Sequence, residues 1–86
     1  MFWMYILKSK VDQEMYIGST NDLPHRVTEH NTGKVFSTKA RAPFTLVYCE
    51  GYRSEEEARH REHNLKLRAR ALRQLLLRIK KSIHEA

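Results

Sequence analysis

Cysteine is nearly absent: Cys49 is the only one in 86 residues, so no intramolecular disulfide can form and a cysteine-rich zinc site is excluded. Its neighbours Val47 and Tyr48 suggest a reduced, half-buried strand residue. A long apolar run is missing as well. Met1–Leu7 is hydrophobic, but it stops at Lys8, has no basic leader, and is too short for a signal or membrane-spanning helix, so it reads as a strand. These absences point to a soluble cytoplasmic protein without membrane association. There is no internal repeat and no low-complexity linker. The length allows one domain, near the lower limit for a core that stands without staples. Glycine and proline do not occur after Gly51, so nothing interrupts a helical pattern in the last third. Acids are scarce there too: between Arg59 and Lys81, Glu62 faces nine of the chain's sixteen lysines and arginines.

That imbalance dominates the formal net charge of +6. A local excess of positive charge attracts a polyanion and gives salt-sensitive binding. A solvated face on a basic helix gives the same composition, so charge alone does not decide between them.

Two short runs, 2–8 and 14–17, are rich in aromatic and β-branched residues, and Lys10-Val11-Asp12-Gln13 between them is polar enough to turn. A hairpin follows, with Tyr5 and Tyr16 on neighbouring strands. Gly18 reads as the end of the second strand, at a point of backbone freedom or close approach to a ligand. Asn21 or Asp22 can cap a helix that starts near Leu23-Pro24 and runs to about Asn31, before Gly33. Leu23 and Val27 give it a buried stripe and leave Arg26 and His30 together on an adjacent face. A looser stretch follows from Thr32 to Pro43, and Phe44 to Glu50 reads as a third strand. Ser54-Glu55-Glu56-Glu57 is a capping box. From it runs a stripe of Ala58, Glu62, Leu65, Ala69, Leu72, Leu76, Ile79 and Ile83, with a break allowed near Leu67–Arg70. The class is α+β: a small three-stranded antiparallel sheet flanked by helices, in the order ββαβα with a helical extension.

Glu62 is the one charged member of that apolar stripe. A carboxylate there needs a partner, either an ion pair with Arg26, Arg59 or Lys66, or a metal. Tyr5 and Tyr16 alone would pass as ordinary strand aromatics. Arg26 could make a weak surface contact with His30 or Glu29. His30 could be structural, as lone histidines often are. His60 and His63 flank Glu62 on other helix faces, and Ser37, Thr38, Asn64 and Lys66 carry little weight by spacing. Taken together, a phenol pair, a guanidinium, an imidazole and a carboxylate can activate water, neutralise a phosphate and hold a divalent metal, an inventory that fits phosphodiester hydrolysis.

In this order the residues resemble the GIY-YIG nuclease domain, in its small single-domain, UPF0213-like form. Tyr16-Ile17-Gly18 is the second tripeptide intact, while Trp3-Met4-Tyr5 keeps only the tyrosine of the first. The likeness continues through Ser19-Thr20-Asn21-Asp22-Leu23, Arg26, Glu29-His30-Asn31, Phe44-Thr45-Leu46-Val47-Tyr48, Glu57-Ala58, Arg61-Glu62 and Leu65-Lys66. The motif-bearing part spans about residues 2–67, and a basic amphipathic helix follows over about 68–84. One tripeptide would be weak; the ordered set is specific.

The resemblance implies a metal-dependent endonuclease. Glu62 would bind one magnesium or manganese ion, Tyr5 and Tyr16 would prepare the attacking water, Arg26 would grip the scissile phosphate, and His30 would move a proton or touch phosphate. DNA would be the substrate, with RNA as a second option, and repair or recombination the setting. Larger relatives carry a separate specificity domain for which this chain has no room, so the resemblance implies weak, structure-directed or nonspecific binding, or dependence on a protein partner for specificity. The rival readings are a non-catalytic nucleic-acid binding module, and an interaction adaptor that uses the carboxy-terminal helix.

Overall fold

The computed structural model describes all 86 residues. The elements run β1 (Phe2–Ser9), β2 (Met15–Thr20), α1 (Leu23–Asn31), a single 3-10 turn (Lys39–Arg41), β3 (Phe44–Tyr52), α2 (Glu55–Leu67), α3 (Ala69–Arg78) and α4 (Lys80–His84). The expected α+β class with a three-stranded antiparallel sheet is what forms, and β1 lies between β2 and β3. No helix is long and apolar enough to cross a membrane.

The central position of β1 explains its composition. Strand side chains alternate between the two faces of a sheet, and a strand with neighbours on both sides and helices on both faces has few exposed positions. Met4, Ile6 and Ile17 form one core cluster with Leu65 and Leu75, while Tyr5 and Leu7 form the other with Leu23 and Phe44. The first cluster places α2 and α3 on one face, and the second places α1 on the other. Leu65 is fully buried and Leu75 nearly so, and each contributes about 1.5–3 kcal/mol relative to an exposed side chain.

The hairpin turn is held from inside. Ser9 Oγ accepts from the amides of Val11 and Asp12 at 3.1 and 3.3 Å and donates to the carbonyl of Arg41 at 2.6 Å. Asp22 caps α1 by accepting from the His25 amide at 3.2 Å. Ser54 caps α2 by accepting from the Glu57 amide at 3.4 Å, and the acids Glu55, Glu56 and Glu57 sit where the helix dipole favours them.

On the α2 side, Glu50 ties β3 to α2. Its carboxylate accepts from Tyr48 Oη at 2.7 Å, Tyr52 Oη at 2.5 Å and Arg61 Nε at 2.9 Å. Burial opposes ionisation of Glu50, but the donors outweigh it and its carboxyl titrates below its ordinary range. Burial, and then the bond to Glu50, push the Tyr52 phenol up to about 12. Arg61 immediately precedes Glu62, so this clamp fixes the helical rotation at which Glu62 meets the sheet.

Three local expectations change. The second strand does not end at Gly18; it continues to Thr20, with Gly18 paired opposite Tyr5. The close approach at this glycine is made by the protein itself: a Cβ there would lie 2.5 Å from Cζ of Tyr5. The carboxy-terminal helix is not continuous over 68–84. Arg68 adopts an extended conformation (φ −112°, ψ 91°) within the stretch where a break was allowed, and a second break falls at Ile79. The first break resets the helical phase, so Leu75 points into the core and Ala69 is exposed.

Candidate active site

α1 and the strand face beneath it build a buried hydrogen-bonded chain. Tyr5 Oη lies 2.9 Å from His30 Nε2, and His30 Nδ1 lies 2.8 Å from Thr38 Oγ1. The Thr38 hydroxyl donates to the Val35 carbonyl at 3.4 Å, so it accepts from His30 Nδ1–H. That leaves Nε2 free to accept from the Tyr5 hydroxyl. His30 and Tyr5 are 0% and 1% exposed. Burial, reinforced by the positive charge of Arg26, holds the His30 pKa below its ordinary value, so the neutral ring is favoured. Burial raises the Tyr5 pKa, and the nearby Arg26 only partly opposes it. Tyr16 closes this group edge-on, its ring centre 5.0 Å from that of His30 and 6.4 Å from that of Tyr5. Unlike Tyr5, Tyr16 is partly exposed.

The second half lies across the sheet. Ser19 pairs with Met4, so alternation turns it toward α2, where its hydroxyl donates to Glu62 Oε1 at 2.7 Å. The other carboxylate oxygen accepts from Lys66 Nζ at 2.6 Å. The same ammonium sits 5.9 Å from the centre of the Tyr16 ring. Lys66 therefore joins the halves across β2, one of the two outer strands of the sheet. Arg26 is half-buried on α1, with Nη1 3.3 Å from Glu29 Oε1. It lines a cleft of about 320 Å³ between α1 and the start of α2, together with Ser19, Thr20, Asp22, His25 and Arg59.

All five residues singled out in the sequence thus gather about β2: Tyr5, Tyr16, Arg26 and His30 on the α1 side, and Glu62 on the α2 side. Of the three ion-pair partners open to Glu62, Lys66 is the one it takes. Arg26 and His30 do not share a solvated face; the histidine is turned fully inward. His60 and His63 are exposed. Thr38 and Lys66 carried little weight by spacing, and both touch a key side chain. Ser19 belongs to the stretch that carries the resemblance but has no role assigned from sequence, although alternation from Ile17 turns it toward the helix of Glu62.

Glu62 and Ser19 are hard oxygen donors, and no group of three or more histidine, cysteine or acidic side chains gathers anywhere in the chain. This donor set suits magnesium or manganese, which keep waters and take phosphate oxygens, and does not suit zinc. Lys66, which holds the other carboxylate oxygen, is half exposed, at 47%.

Comparison with known proteins bears on the family and the fold. The family model of the GIY-YIG catalytic domain matches residues 1–75. The UPF0213 protein YazA of Bacillus subtilis is 36% identical over 85 residues, covering 98% of this chain and 85% of that protein. A UPF0213 protein of Streptococcus pneumoniae is 42% identical over 69 residues, covering 79% and 69%. The solution NMR structure of a UPF0213 protein from Bacillus halodurans superposes with a TM-score of 0.57 at 35% identity, over 93% of this chain and 86% of that one.

Proposed function

Because the chain belongs to the GIY-YIG catalytic domain family, we propose that it is a metal-dependent endonuclease that hydrolyses phosphodiester bonds in DNA. The observation that carries this reading is the bridge from Glu62 through Lys66 to Tyr16, which brings a carboxylate and a phenol to one strand edge, with the Arg26 cleft beside it.

Each side chain has a task suited to its surroundings. Tyr16, the accessible phenol, orients the attacking water. Tyr5 Oη, hydrogen-bonded to neutral His30, takes a proton from the attacking water as its own proton passes to His30 Nε2, so the imidazole ends protonated and the phenol is restored. Arg26 grips the non-bridging phosphate oxygens and stabilises the charge that grows as water attacks phosphorus and the bond to the leaving oxygen breaks. Glu62, oriented by Ser19, would hold one magnesium or manganese ion. When bound, that ion supplies Lewis-acid stabilisation of the leaving oxygen.

Arg68, Arg70, Arg73, Arg78, Lys80 and Lys81 are all exposed, which suits sequence-independent contact with DNA phosphates. Nothing in that contact reads bases, so a protein partner or the shape of the DNA would direct cutting, in repair or recombination.

The test is cleavage of supercoiled plasmid and branched DNA with magnesium, manganese or chelator, comparing the protein with Glu62→Ala and Arg26→Ala. Metal-dependent nicking that falls by about 10²–10³ in Arg26→Ala and disappears in Glu62→Ala supports the nuclease. Salt-sensitive binding with no cleavage would instead make the chain a nucleic-acid binding module.

A further inference from the structure

The loop between α1 and β3 holds a large aromatic ring out in water. Phe36 is 86% exposed, the most exposed of the large hydrophobic side chains. The loop around it is tightly bonded. The Lys34 amide donates to the Glu29 carbonyl at 3.0 Å, the Thr38 amide to the Val35 carbonyl at 3.1 Å, and the Arg41 amide to the Thr38 carbonyl at 2.9 Å. Arg41 is further held by Asp12 at 2.8 Å. Phe36 therefore projects from a closed turn.

Two observations say what the ring is for. Its neighbours are cationic: Lys39 Nζ lies 5.7 Å from the ring centre, and Lys34 is exposed two residues away. The turn also reaches the active site, because Thr38, 1% exposed, bonds His30 directly. Two residues of chain span at most about 7 Å, so Phe36 stands close to the buried Tyr5–His30 chain. A lone aromatic ring between ammonium groups suits a ligand with one flat π face and adjoining anionic groups. A lipid surface would call for several exposed apolar side chains together; the adjoining Val35 is only partly exposed, and Lys34, Ser37 and Lys39 are exposed.

We propose that Phe36, flanked by Lys34 and Lys39, is a stacking platform for an unpaired nucleobase of the DNA that the protein binds. That this DNA is then cut rests on the nuclease reading; the platform itself does not. A base can lie on the ring only if it has left its own stack, so the substrate class is DNA with an unpaired nucleotide: a gap, a flap, a junction or a single strand. Base–aromatic stacking tolerates any sequence, because every base has a π face.

The test is binding in chelator, which removes cleavage from the readout. Affinities are measured for a fully paired duplex and for the same duplex with a short single-stranded gap, using the protein, Phe36→Ala, Phe36→Trp, and vesicles containing phosphatidylserine. Phe36→Ala is expected to weaken gapped DNA about 5- to 100-fold, leave the paired duplex within about twofold, and be rescued by Phe36→Trp. Equal loss on both DNAs, or loss on neither, overturns the platform. Unchanged DNA binding with lost vesicle binding also overturns it and assigns the ring to a membrane surface. Gap-selective binding without cleavage in magnesium would retain the platform and sink the nuclease reading; cleavage of gapped DNA unaffected by Phe36→Ala would do the reverse.

Discussion

Lys66 Nζ rests 2.6 Å from Oε2 of Glu62, one turn earlier on α2. A cation bound to the proposed metal ligand competes with the metal for it. Two unit charges 4 Å apart repel by roughly 1 kcal/mol even in water, and a divalent ion doubles that. Solvent and salt screen the half-exposed ammonium and reduce this, so Lys66→Met is expected to bind manganese about three- to tenfold more tightly by calorimetry, while Glu62→Ala loses binding. Unchanged affinity in Lys66→Met would mean that the lysine does not stand in the ion's way.

Stability should fall on acidification through His30. Its folded-state pKa lies below the ordinary value because burial, and then Arg26, disfavour the charged ring. The unfolded chain then binds more protons as pH drops below about 6.5. The contribution is complete above that pH and is lost as pH falls toward the folded-state value. Urea denaturation at pH 7.5 and 5.5, with His30→Gln alongside, checks this. The variant should show a shallower pH slope, and an identical slope would count against the assignment. The pH–rate profile should decline over the same acidic window.

Glu50→Ala leaves Tyr48, Tyr52 and Arg61 without their shared acceptor. The expected loss is roughly 2–3 kcal/mol in denaturant unfolding, since the donors are only partly buried and water replaces some of the bonds. A double-mutant cycle with Arg61→Ala should show strong coupling. Additive losses would mean that the clamp does not work as a unit.

Gly18→Ala should destabilise the fold by about 1–3 kcal/mol, the usual range for overpacking. The new Cβ meets the Tyr5 ring, and that ring is buried with no room to retreat. Tyr5→Ala should relieve much of the penalty, so the two changes together cost less than their sum. Full additivity would show that the ring can move aside.

Most of the fold was legible because its signals are local. Two runs of aromatic and β-branched residues around a polar turn marked the hairpin, and Asp22 and Ser54 marked helix starts by the oxygen each can offer an orphan amide. What escaped depends on contacts distant in sequence. Ser19 meets Glu62 across 43 positions; alternation gives its face of the sheet but names no partner on the helix. Leu75 was hidden by the break at Arg68, because a stripe carried across a break keeps a phase that the chain no longer follows. The burial of His30 was hidden for a related reason: its polar partners, Tyr5 and Thr38, come from a strand and a loop that only the folded chain brings together.

The outer position of β2 has a further consequence. An outermost strand offers unpaired amides and carbonyls on which another chain can lay a strand of its own, and proteins commonly blunt such edges with charge. Lys66 reaches across this one to Tyr16. The ammonium that links the two halves of the site is thus also a guard against self-association. Neutralising it to loosen the hold on Glu62 would expose the edge to a second copy of the chain, and concentration-dependent aggregation would then accompany any gain in metal affinity.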